Sequence, residues 1–328
     1  MTNRDFGLCF IGAGSIARRV LADISKHSKG CYLASIYSRQ LANAERLSSQ
    51  HGGIPCASID EAMGAPGVKA VYVATPNTFH KEHSVNALKK GLPVLCEKPV
   101  ATTLLDLKEM AEAARDHSAF FMEGMWTAHN PAVKKAVEWA KEGQIGKLRA
   151  MSASFSSRSK YDPKSRLFDP SLGGGALFDI GVYTVAMARL LFSDMPEELE
   201  AVAEYAPTGV DSQCAVTMKY KDGAIARLFC GTSANEPDEC LISGEQGFIR
   251  LEKFWAPKKA QLFVPGHDAE IFDGNFPGEG FQFEFDAMRE DVLAGRIENA
   301  LVPHEFSFSV MELVERIGES CQKQGILF

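Results

Sequence analysis

The segment Gly12-Ala13-Gly14-Ser15-Ile16-Ala17 carries the pattern G-x-G-x-x-A between an apolar run and a helical pattern. The first glycine permits a tight turn, the second lets the backbone approach a pyrophosphate, and the small Ala17 lets the helix pack close to the strand. The helix N-terminus presents free N–H groups and the positive end of its dipole to phosphates. We therefore predict a dinucleotide site at Gly12, Ala13, Gly14, Ser15 and Ile16.

The end of the second apolar run, Ser38-Arg39, bears on which nicotinamide dinucleotide is bound. An acidic residue at this place binds the ribose hydroxyls of NAD and repels an added 2′-phosphate, whereas a hydroxyl and a guanidinium suit that phosphate. We predict NADP as the cofactor, held by Ser38 and Arg39, with NAD as the second choice. The alternative is a solvent-exposed arginine at a strand end.

Two more turns follow apolar strands, Thr75-Pro76-Asn77 and Glu97-Lys98-Pro99. Ligands of open parallel sheets bind beyond the carboxyl ends of the strands, so both turns are expected along the cofactor. The residues assigned to the cofactor here are Thr75, Pro76, Asn77, His80, Glu97 and Lys98. His80 and His83 form an H-x-x-H pair, but no third ligand is evident nearby, so we predict packed or exposed histidines and no metal site.

Lys98 and the pair Asp179 and Tyr183 are the candidate catalytic residues. Lys98 precedes a proline, which favours extended geometry and makes its side chain project from the strand tip. A lysine there donates a hydrogen bond to a substrate oxygen and lowers the pKa of a neighbouring hydroxyl. The alternative is a surface lysine.

Asp179 and Tyr183 lie at spacing i, i+4 on an otherwise apolar helix that follows Gly173-Gly174-Gly175. The three glycines let the backbone approach a ligand or another chain segment closely. An acid and a phenol on an apolar helix need a polar destination. That destination is either a substrate site or, in the structural alternative, a backbone partner for a buried aspartate beside a packed tyrosine.

Two patterns of elements must position these side chains. Apolar strands at 6–11, 31–37, 68–75, 92–99 and 119–124 alternate with helical patterns at 16–26, 40–51, 79–90 and 104–116. This alternation predicts a parallel sheet covered on both faces. Beyond residue 126 come a helix at 131–142, a strand at 147–156, a long helix at 176–192, short strands from 197 to 273, and helices at 281–294 and 305–324. Strands in short succession favour an antiparallel sheet.

Composition excludes several classes of protein. The 328 residues are 45% hydrophobic and 23% charged, which suits two folded domains. The 35 basic and 42 acidic residues give a net charge of −7, so a general nucleic-acid binder is disfavoured. No run of 18 apolar residues and no signal-peptide pattern occurs, so we expect no membrane span. The 8 cysteines are scattered without a C-x-x-C pair, which favours reduced core cysteines in a cytoplasmic protein.

Several motifs together resemble the glucose–fructose oxidoreductase / inositol dehydrogenase / MocA family, with most likeness to its dimeric dihydrodiol dehydrogenase branch. These motifs are GAGSIA at 12–17, YSR at 37–39, ATPNTFH at 74–80, CEKP at 96–99, MEGMW at 122–126, FDPSLGGGALFDIGVY at 168–183, GFQFEFDAM at 280–288 and LVPHEFSFSVMELVERI at 301–317. The likeness covers nearly the whole chain, and the spaced set is specific where each piece alone is not.

The resemblance implies an α/β fold with an NAD(P)-binding Rossmann domain, 1–126, and a substrate-binding and dimerisation α/β domain, 127–328, built on a large, mainly antiparallel sheet. It implies a homodimer through that sheet, assigns the family's catalytic lysine to Lys98, before a possible cis proline, and assigns its catalytic acid to Asp179. Tyr183 stands where many members have histidine. The branch often has an arginine two residues after the tryptophan of MEGMW, and this chain has Ala128.

These parts predict hydride transfer between NADP and a carbinol carbon of a small cyclic polyol, sugar or trans-dihydrodiol. Either Tyr183 or Lys98 is the acid/base, and Asp179 either orients Lys98 or binds a second hydroxyl. Trp126, Phe155 and Trp255 are candidates for an apolar substrate wall, with core packing as the alternative. A second hypothesis is a regulator that binds dinucleotide without turnover, although retention of all three polar residues favours an enzyme.

Overall fold

The structure, a computed structural model, describes residues 4–323 as two compact units. Unit 1 holds the residues up to Trp126 together with Pro277–Phe308, and unit 2 holds Thr127–Phe276 and the residues from Ser309 onward. The strands are β1 Phe6–Ile11, β2 Cys31–Tyr37, β3 Ile54–Cys56, β4 Val68–Val73, β5 Val94–Glu97, β6 Phe121–Gly124, β7 Leu148–Ser156, β8 Glu198–Tyr205, β9 Asp211–Lys219, β10 Ile225–Gly231, β11 Glu239–Gly244, β12 Phe248–Glu252, β13 Lys259–Phe263 and β14 Glu270–Asp273. The helices are α1 Ser15–His27, α2 Leu41–His51, α3 Ile59–Met63, α4 His80–Lys89, α5 Leu104–Asp116, α6 Trp126–His129, α7 Pro131–Lys141, α8 Val182–Leu191, α9 Gln282–Leu293 and α10 His304–Lys323.

Unit 1 is built on a six-stranded parallel sheet in the order β3-β2-β1-β4-β5-β6. All six residues of β1 are buried, as expected for a strand covered on both faces. The strand order reverses beside β1, so the carboxyl ends of β1 and β4 flank the crevice where such sheets bind ligands. The predicted parallel α/β domain is therefore confirmed.

Unit 1 also includes a segment from late in the chain, which differs from the predicted division at residue 126. The N–H groups of Glu279, Gly280 and Phe281 donate to the buried Asp23 carboxylate of α1, at 2.8 to 3.1 Å. Phe285 on α9 packs its ring against Phe10 of β1. Through these contacts, the segment 277–308 packs against the hydrophobic core of unit 1 and belongs to that unit rather than to the unit of the residues that precede it.

Unit 2 is built on an eight-stranded sheet in the order β14-β13-β12-β11-β7-β10-β9-β8. Only β7 and β10 pair in parallel, and the other neighbours are antiparallel. One face of the sheet is buried through residues such as Met151, Leu228 and Met218, and α8 packs against β7 and β10. The predicted, mainly antiparallel second sheet is confirmed.

Two elements differ locally from the prediction. The pair β3 and α3 was not predicted, because Ile54–Cys56 is three residues long and contains a proline. The predicted helix at 176–192 begins as a π-helical turn, Leu177–Gly181, and becomes α-helical only at Val182.

One segment of unit 2 is long and apolar, and the cysteines are free. Within residues 4–323, Pro170–Leu191 is long and apolar enough to cross a bilayer by length and composition alone, but most of it is buried inside the unit, as in a core helix. All eight cysteines are free, and seven of them are buried.

Candidate active site

The turn after β1 has the backbone that the glycine pattern predicts. Gly12 has φ +113°, and a Cβ there would overlap the Ala74 carbonyl, so only glycine fits. Gly14 precedes α1, and no atom of the described residues lies within 4 Å of a Cβ built on it. Ala17, on α1, is fully buried. Packing within the chain therefore explains Gly12 and Ala17, while the open space at Gly14 is suited to an approaching ligand.

The start of α1 favours an anion. Its first turn contains no acidic residue, and Gly14 has no side chain to cap the free N–H groups. Arg18 ends that first turn, and Arg19 follows it and pairs with Glu279. A helix N-terminus with these properties binds phosphate through N–H groups and the helix dipole.

Ser38 and Arg39 follow β2 on the same edge of the sheet. Ser38 is half-buried and Arg39 is exposed. The next helix, α2, has no acidic residue in its first turn, and the side chain of its N-cap residue Gln40 does not cap its backbone N–H groups but accepts a hydrogen bond from the Asn43 side-chain amide at 3.1 Å. The predicted residues for a 2′-phosphate therefore lie beside a second helix N-terminus.

The turn after β4 presents Thr75, Pro76 and Asn77, all half-buried. Among the described residues, the buried hydroxyl oxygen of Thr75 has no hydrogen-bond partner. His80, by contrast, is fully buried, with ring nitrogens Nδ1 and Nε2 at 2.8 Å from the Pro99 carbonyl and 2.9 Å from the Thr75 carbonyl. Burial lowers the pKa of His80 to about 4, so the ring is neutral and donates its single N–H to one of these two carbonyl oxygens.

Lys98 stands at the tip of β5, half-buried, and its bond to Pro99 is cis, as the family resemblance implies. Glu97 is buried behind it and accepts hydrogen bonds from the Tyr72 hydroxyl and, at 3.3 Å, from the Lys98 backbone N–H. Burial raises the pKa of Glu97, and the hydrogen bond from Tyr72 and the Lys98 charge oppose that shift. Glu97 is therefore held by Tyr72 and by the backbone of Lys98.

Two more buried carboxyl groups, which the sequence analysis did not identify, surround this strand tip. Glu123 on β6 accepts hydrogen bonds from the Val100 N–H at 3.3 Å and from the Ser307 hydroxyl at 2.7 Å. Glu284 on α9 is fully buried, and neither of its oxygens has a hydrogen-bond partner among the described residues. Burial, and then the charge of Glu97, raise the pKa of Glu284 far above its usual range, so this acid is neutral.

In unit 2, Asp179 lies in the π-helical turn and Tyr183 in the first turn of α8. The Arg166 guanidinium donates to Asp179 Oδ1 at 2.8 Å. Arg166 was not predicted as a site residue, because it lies in a segment without helical or strand periodicity. Its guanidinium supplies the polar partner that Asp179 was expected to need.

An aromatic cluster surrounds Tyr183. Phe155 of β7 lies 5.8 Å from the Tyr183 ring and stacks on Trp255 at 5.3 Å and 4°. Phe155 and Trp255 are only half-buried, whereas Tyr183 is 7% exposed. Trp126 belongs to unit 1, where it is buried and stacks on Phe281 at 4.1 Å. Unit 2 thus brings together two of the three predicted wall residues, next to the phenol.

The residues of unit 1 fit a nicotinamide dinucleotide. The open cradle at Gly14, the uncapped start of α1 and the unpartnered Thr75 hydroxyl all belong to turns at the carboxyl ends of β1 and β4. Backbone N–H groups there suit a pyrophosphate, and Ser38 and Arg39 would hold the adenosine ribose. Among residues 4–323, no group of three or more His, Cys, Asp or Glu side chains could hold a metal ion.

Comparison with known proteins identifies relatives of both units. Residues 6–125 match the GFO/IDH/MocA oxidoreductase family, with its NAD-binding Rossmann fold, and residues 133–250 match the GFO/IDH/MocA C-terminal domain. The trans-1,2-dihydrobenzene-1,2-diol dehydrogenase of Mus musculus is 31% identical over 97% of this chain and 96% of its own length.

Solved structures share the fold. An aldose-aldose oxidoreductase from Caulobacter crescentus, complexed with glycerol, superposes with a TM-score of 0.89 at 24% identity, over 98% of both chains. A 3-ketoreductase from Actinomadura kijaniata, in complex with NADP and TDP-benzene, gives 0.85 at 26% identity, over 96% of this chain and 97% of that one. The chain belongs to the GFO/IDH/MocA oxidoreductase family and is an NAD(P)-dependent oxidoreductase.

Proposed function

We propose that the protein is an NADP-dependent oxidoreductase that transfers a hydride between nicotinamide and a carbinol carbon of a cyclic polyol, sugar or trans-dihydrodiol. One observation carries the proposal. The parallel sheet of unit 1 brings the open glycine turn after β1, the Thr75 turn after β4 and Lys98 after β5 to one edge. That edge is where open α/β sheets bind dinucleotides.

The preference for NADP is supported by Ser38 and Arg39. An exposed guanidinium pairs with the 2′-phosphate and gives NADP a charge-assisted contact that NAD lacks. Arg39→Ala is expected to weaken NADP binding by on the order of tenfold while leaving NAD binding nearly unchanged, since one hydrogen bond to a charged group contributes ~1.5–3 kcal/mol. Tryptophan-fluorescence titration with both cofactors measures this. Equal losses for NADP and NAD would contradict the assignment.

In the proposed reaction, the nicotinamide supplies the hydride acceptor or donor. During oxidation, the C–H electron pair leaves the carbinol carbon as hydride, the O–H proton moves to the ionised phenol of Tyr183, and a C=O bond forms. The Lys98 ammonium donates a hydrogen bond to the same substrate oxygen and stabilises the ionised phenol by its charge. In the alternative assignment, Lys98 itself takes the proton. Asp179, held by Arg166, binds a second hydroxyl of the substrate or orients Lys98.

The substrate class is supported by the aromatic pair Phe155 and Trp255. Their stacked, half-buried rings offer a flat apolar surface next to Tyr183, which is suited to the face of a ring compound. The names of the relatives point to the same chemistry, since they include a dihydrodiol dehydrogenase and an aldose-aldose oxidoreductase.

The test is turnover of NADPH with a panel of aldoses, diketones and ring ketones, and of NADP with trans-dihydrodiols. On the best substrate, Lys98→Met and Tyr183→Phe are each expected to lower kcat by ~10²–10⁴-fold, because a placed proton donor or acceptor contributes that much. Cofactor affinity is expected to change little in Tyr183→Phe. Wild-type rates in both variants would overturn the catalytic roles.

We also propose that the protein is a homodimer through the open face of the unit 2 sheet. Its central strand β7 turns the small side chains of Ala150, Ser152 and Ser154 outward, opposite Ile225, Arg227 and Phe229 of β10. A face with small residues at its centre lets a second sheet pack at ~10 Å. Phe229→Asp is expected to yield a monomer by light scattering, whereas Leu105→Asp, on exposed α5, is expected to leave a dimer. A wild-type monomer would refute this assembly.

A further inference from the structure

The turn that carries Lys98 is fixed from two sides by buried side chains. The His80 ring contacts the Pro99 carbonyl on one side, and the Glu123 carboxyl accepts the Val100 N–H on the other. β5 and β6 are neighbours in register, with Cys96 opposite Glu123, so Glu123 lies beside the last residues of β5. Glu123 is only 2% exposed, which leaves no route for its charge to be screened by water.

We propose that Glu123 is a positioning residue that keeps the Lys98 side chain charged, acting through its field and through the Val100 hydrogen bond without touching the substrate. The inference rests on the proposed role of Lys98. It adds a residue from the MEGMW motif, which neither the predicted site nor the mechanism above includes.

The electrostatic interaction between Glu123 and Lys98 is reciprocal. Burial raises the pKa of Glu123 to about 7, and the Ser307 hydrogen bond, the Val100 hydrogen bond and the Lys98 charge act in the opposite direction. If the lysine charge favours ionised Glu123, then ionised Glu123 favours the charged lysine by the same interaction free energy. Glu123 therefore gains its negative charge as the pH rises through about 7.

Four other titratable groups lie around the pair. Glu97 lies against Lys98 but shares its region with Glu284, which is neutral. His80 is neutral at physiological pH, and His304 on α10, which faces the Phe121 carbonyl, has a pKa lowered by burial. Glu97 and Glu123 each accept hydrogen bonds from two neutral donors, which stabilise the ionised form, so Glu123 adds its charge to that of Glu97.

The experiment measures the charge of Lys98 directly. The rate of Lys98 acylation by an N-hydroxysuccinimide ester is followed against pH by peptide mass spectrometry, on the full chain without cofactor. In Glu123→Gln, the amide oxygen can still accept the Val100 N–H while the NH2 group donates to the Ser307 hydroxyl, and the charge is removed. The midpoint is expected to fall by about one pH unit, as for loss of a nearby opposite charge. Glu284→Gln is the matched control, because it replaces a neutral acid by a neutral amide, and its midpoint is expected to match the wild type.

A second variant keeps the inference testable if Glu123→Gln folds poorly. Ser307→Ala removes the hydroxyl donor, which disfavours ionised Glu123 and is expected to shift the Lys98 midpoint in the same direction by less. In the active enzyme, the alkaline limb of kcat/KM in Glu123→Gln is expected to move to lower pH. Superimposable acylation curves for wild type and folded Glu123→Gln overturn the inference. Absence of turnover in the wild type, with the acylation shift present, refutes the proposed function and leaves the electrostatic coupling standing.

Discussion

Two glycine-rich segments precede helices in this chain, and they differ in what fills the space beside them. In unit 1, the place where Gly14 lacks a side chain is open. In unit 2, a Cβ on Gly174 would lie 2.8 Å from the Leu167 carbonyl, a Cβ on Gly175 would overlap the Asp211 carboxylate, and one on Gly181 would lie 2.7 Å from the sulfur of Cys230. The same residue type thus leaves room for a ligand in one unit and for the chain's own atoms in the other.

This difference separates two meanings of a glycine motif. The segment 173–175 was expected to approach either a ligand or another part of the chain, and the structure assigns it to the second use. Asp211 then accepts the Leu177 N–H at 2.7 Å, which fixes the start of the helix that carries Asp179 and Tyr183. In unit 2, the glycines let the chain pack closely beside the helix that carries the candidate residues. In unit 1, Gly14 forms part of the surface of the candidate site.

The largest expected effect is on stability, from Gly175→Ala. The substitution forces alanine to φ +124° and pushes Asp211 from its hydrogen bond, so we expect a loss of ~3–5 kcal/mol in the free energy of unfolding. Gly209→Ala is the matched control, because its φ is +87° with no atom within 4 Å, and it is expected to lose only ~1 kcal/mol. Urea denaturation measures both. Equal losses of unfolding free energy in the two variants would mean that the contact with Asp211 does not contribute to stability.

The next effect falls on cofactor affinity, from Gly14→Asp. A carboxylate in the open cradle would lie close to the pyrophosphate, and like charges ~4 Å apart repel by about 4 kcal/mol near a protein surface, so we expect at least about a hundredfold weaker NADP binding. Because the position is exposed, the midpoint of thermal unfolding is expected to stay nearly constant. Unchanged affinity would show that the cradle does not receive the cofactor.

A third prediction compares one buried acid from each unit through the pH dependence of stability. Burial raises the pKa of Glu123 to about 7 and that of Asp211 to about 6. The folded state therefore binds more protons than the unfolded state between about pH 4 and 7, so stability falls as the pH rises through this window. Glu123→Gln is expected to flatten the upper part of the slope, up to pH 7, and Asp211→Asn the part below pH 6, each by on the order of 1–3 kcal/mol. Urea denaturation from pH 4 to 8 measures the slopes, and identical slopes in both variants and wild type would contradict this.

The smallest expected effect on stability is from Arg166→Gln. The Arg166 side chain is 58% exposed, so its ion pair with Asp179 is expected to contribute less than ~1 kcal/mol to folding. If Asp179 binds substrate, the same variant is expected to raise KM several-fold with little change in kcat. A stability loss without any kinetic change would make the pair purely structural.

The parts of the site that were predictable are those set by local sequence. The turn at 12–17 and the strand tip at Lys98 follow from short motifs joined to apolar strands, and the fold class follows from how those strands alternate with helices. The return of 277–308 to unit 1 depends on hydrogen bonds from residues 279–281 to Asp23, more than 250 residues earlier in the chain. The pairing of Arg166 with Asp179 depends on an irregular segment, for which no periodicity exists.

The hydrogen bonds at Asp23 also constrain how the molecule is made. A ribosome that has synthesised the first 126 residues has not yet produced α9, whose Phe285 packs on Phe10 and Tyr72. Until about 150 more residues have been translated, part of the apolar surface of the nascent nucleotide-binding unit is uncovered. During that time the Asp23 carboxylate also lacks the hydrogen bonds from residues 279–281. A fragment that ends at residue 126 would lack the α9 side chains that cover the hydrophobic core of unit 1. Shorter expression clones should therefore retain the segment 277–308.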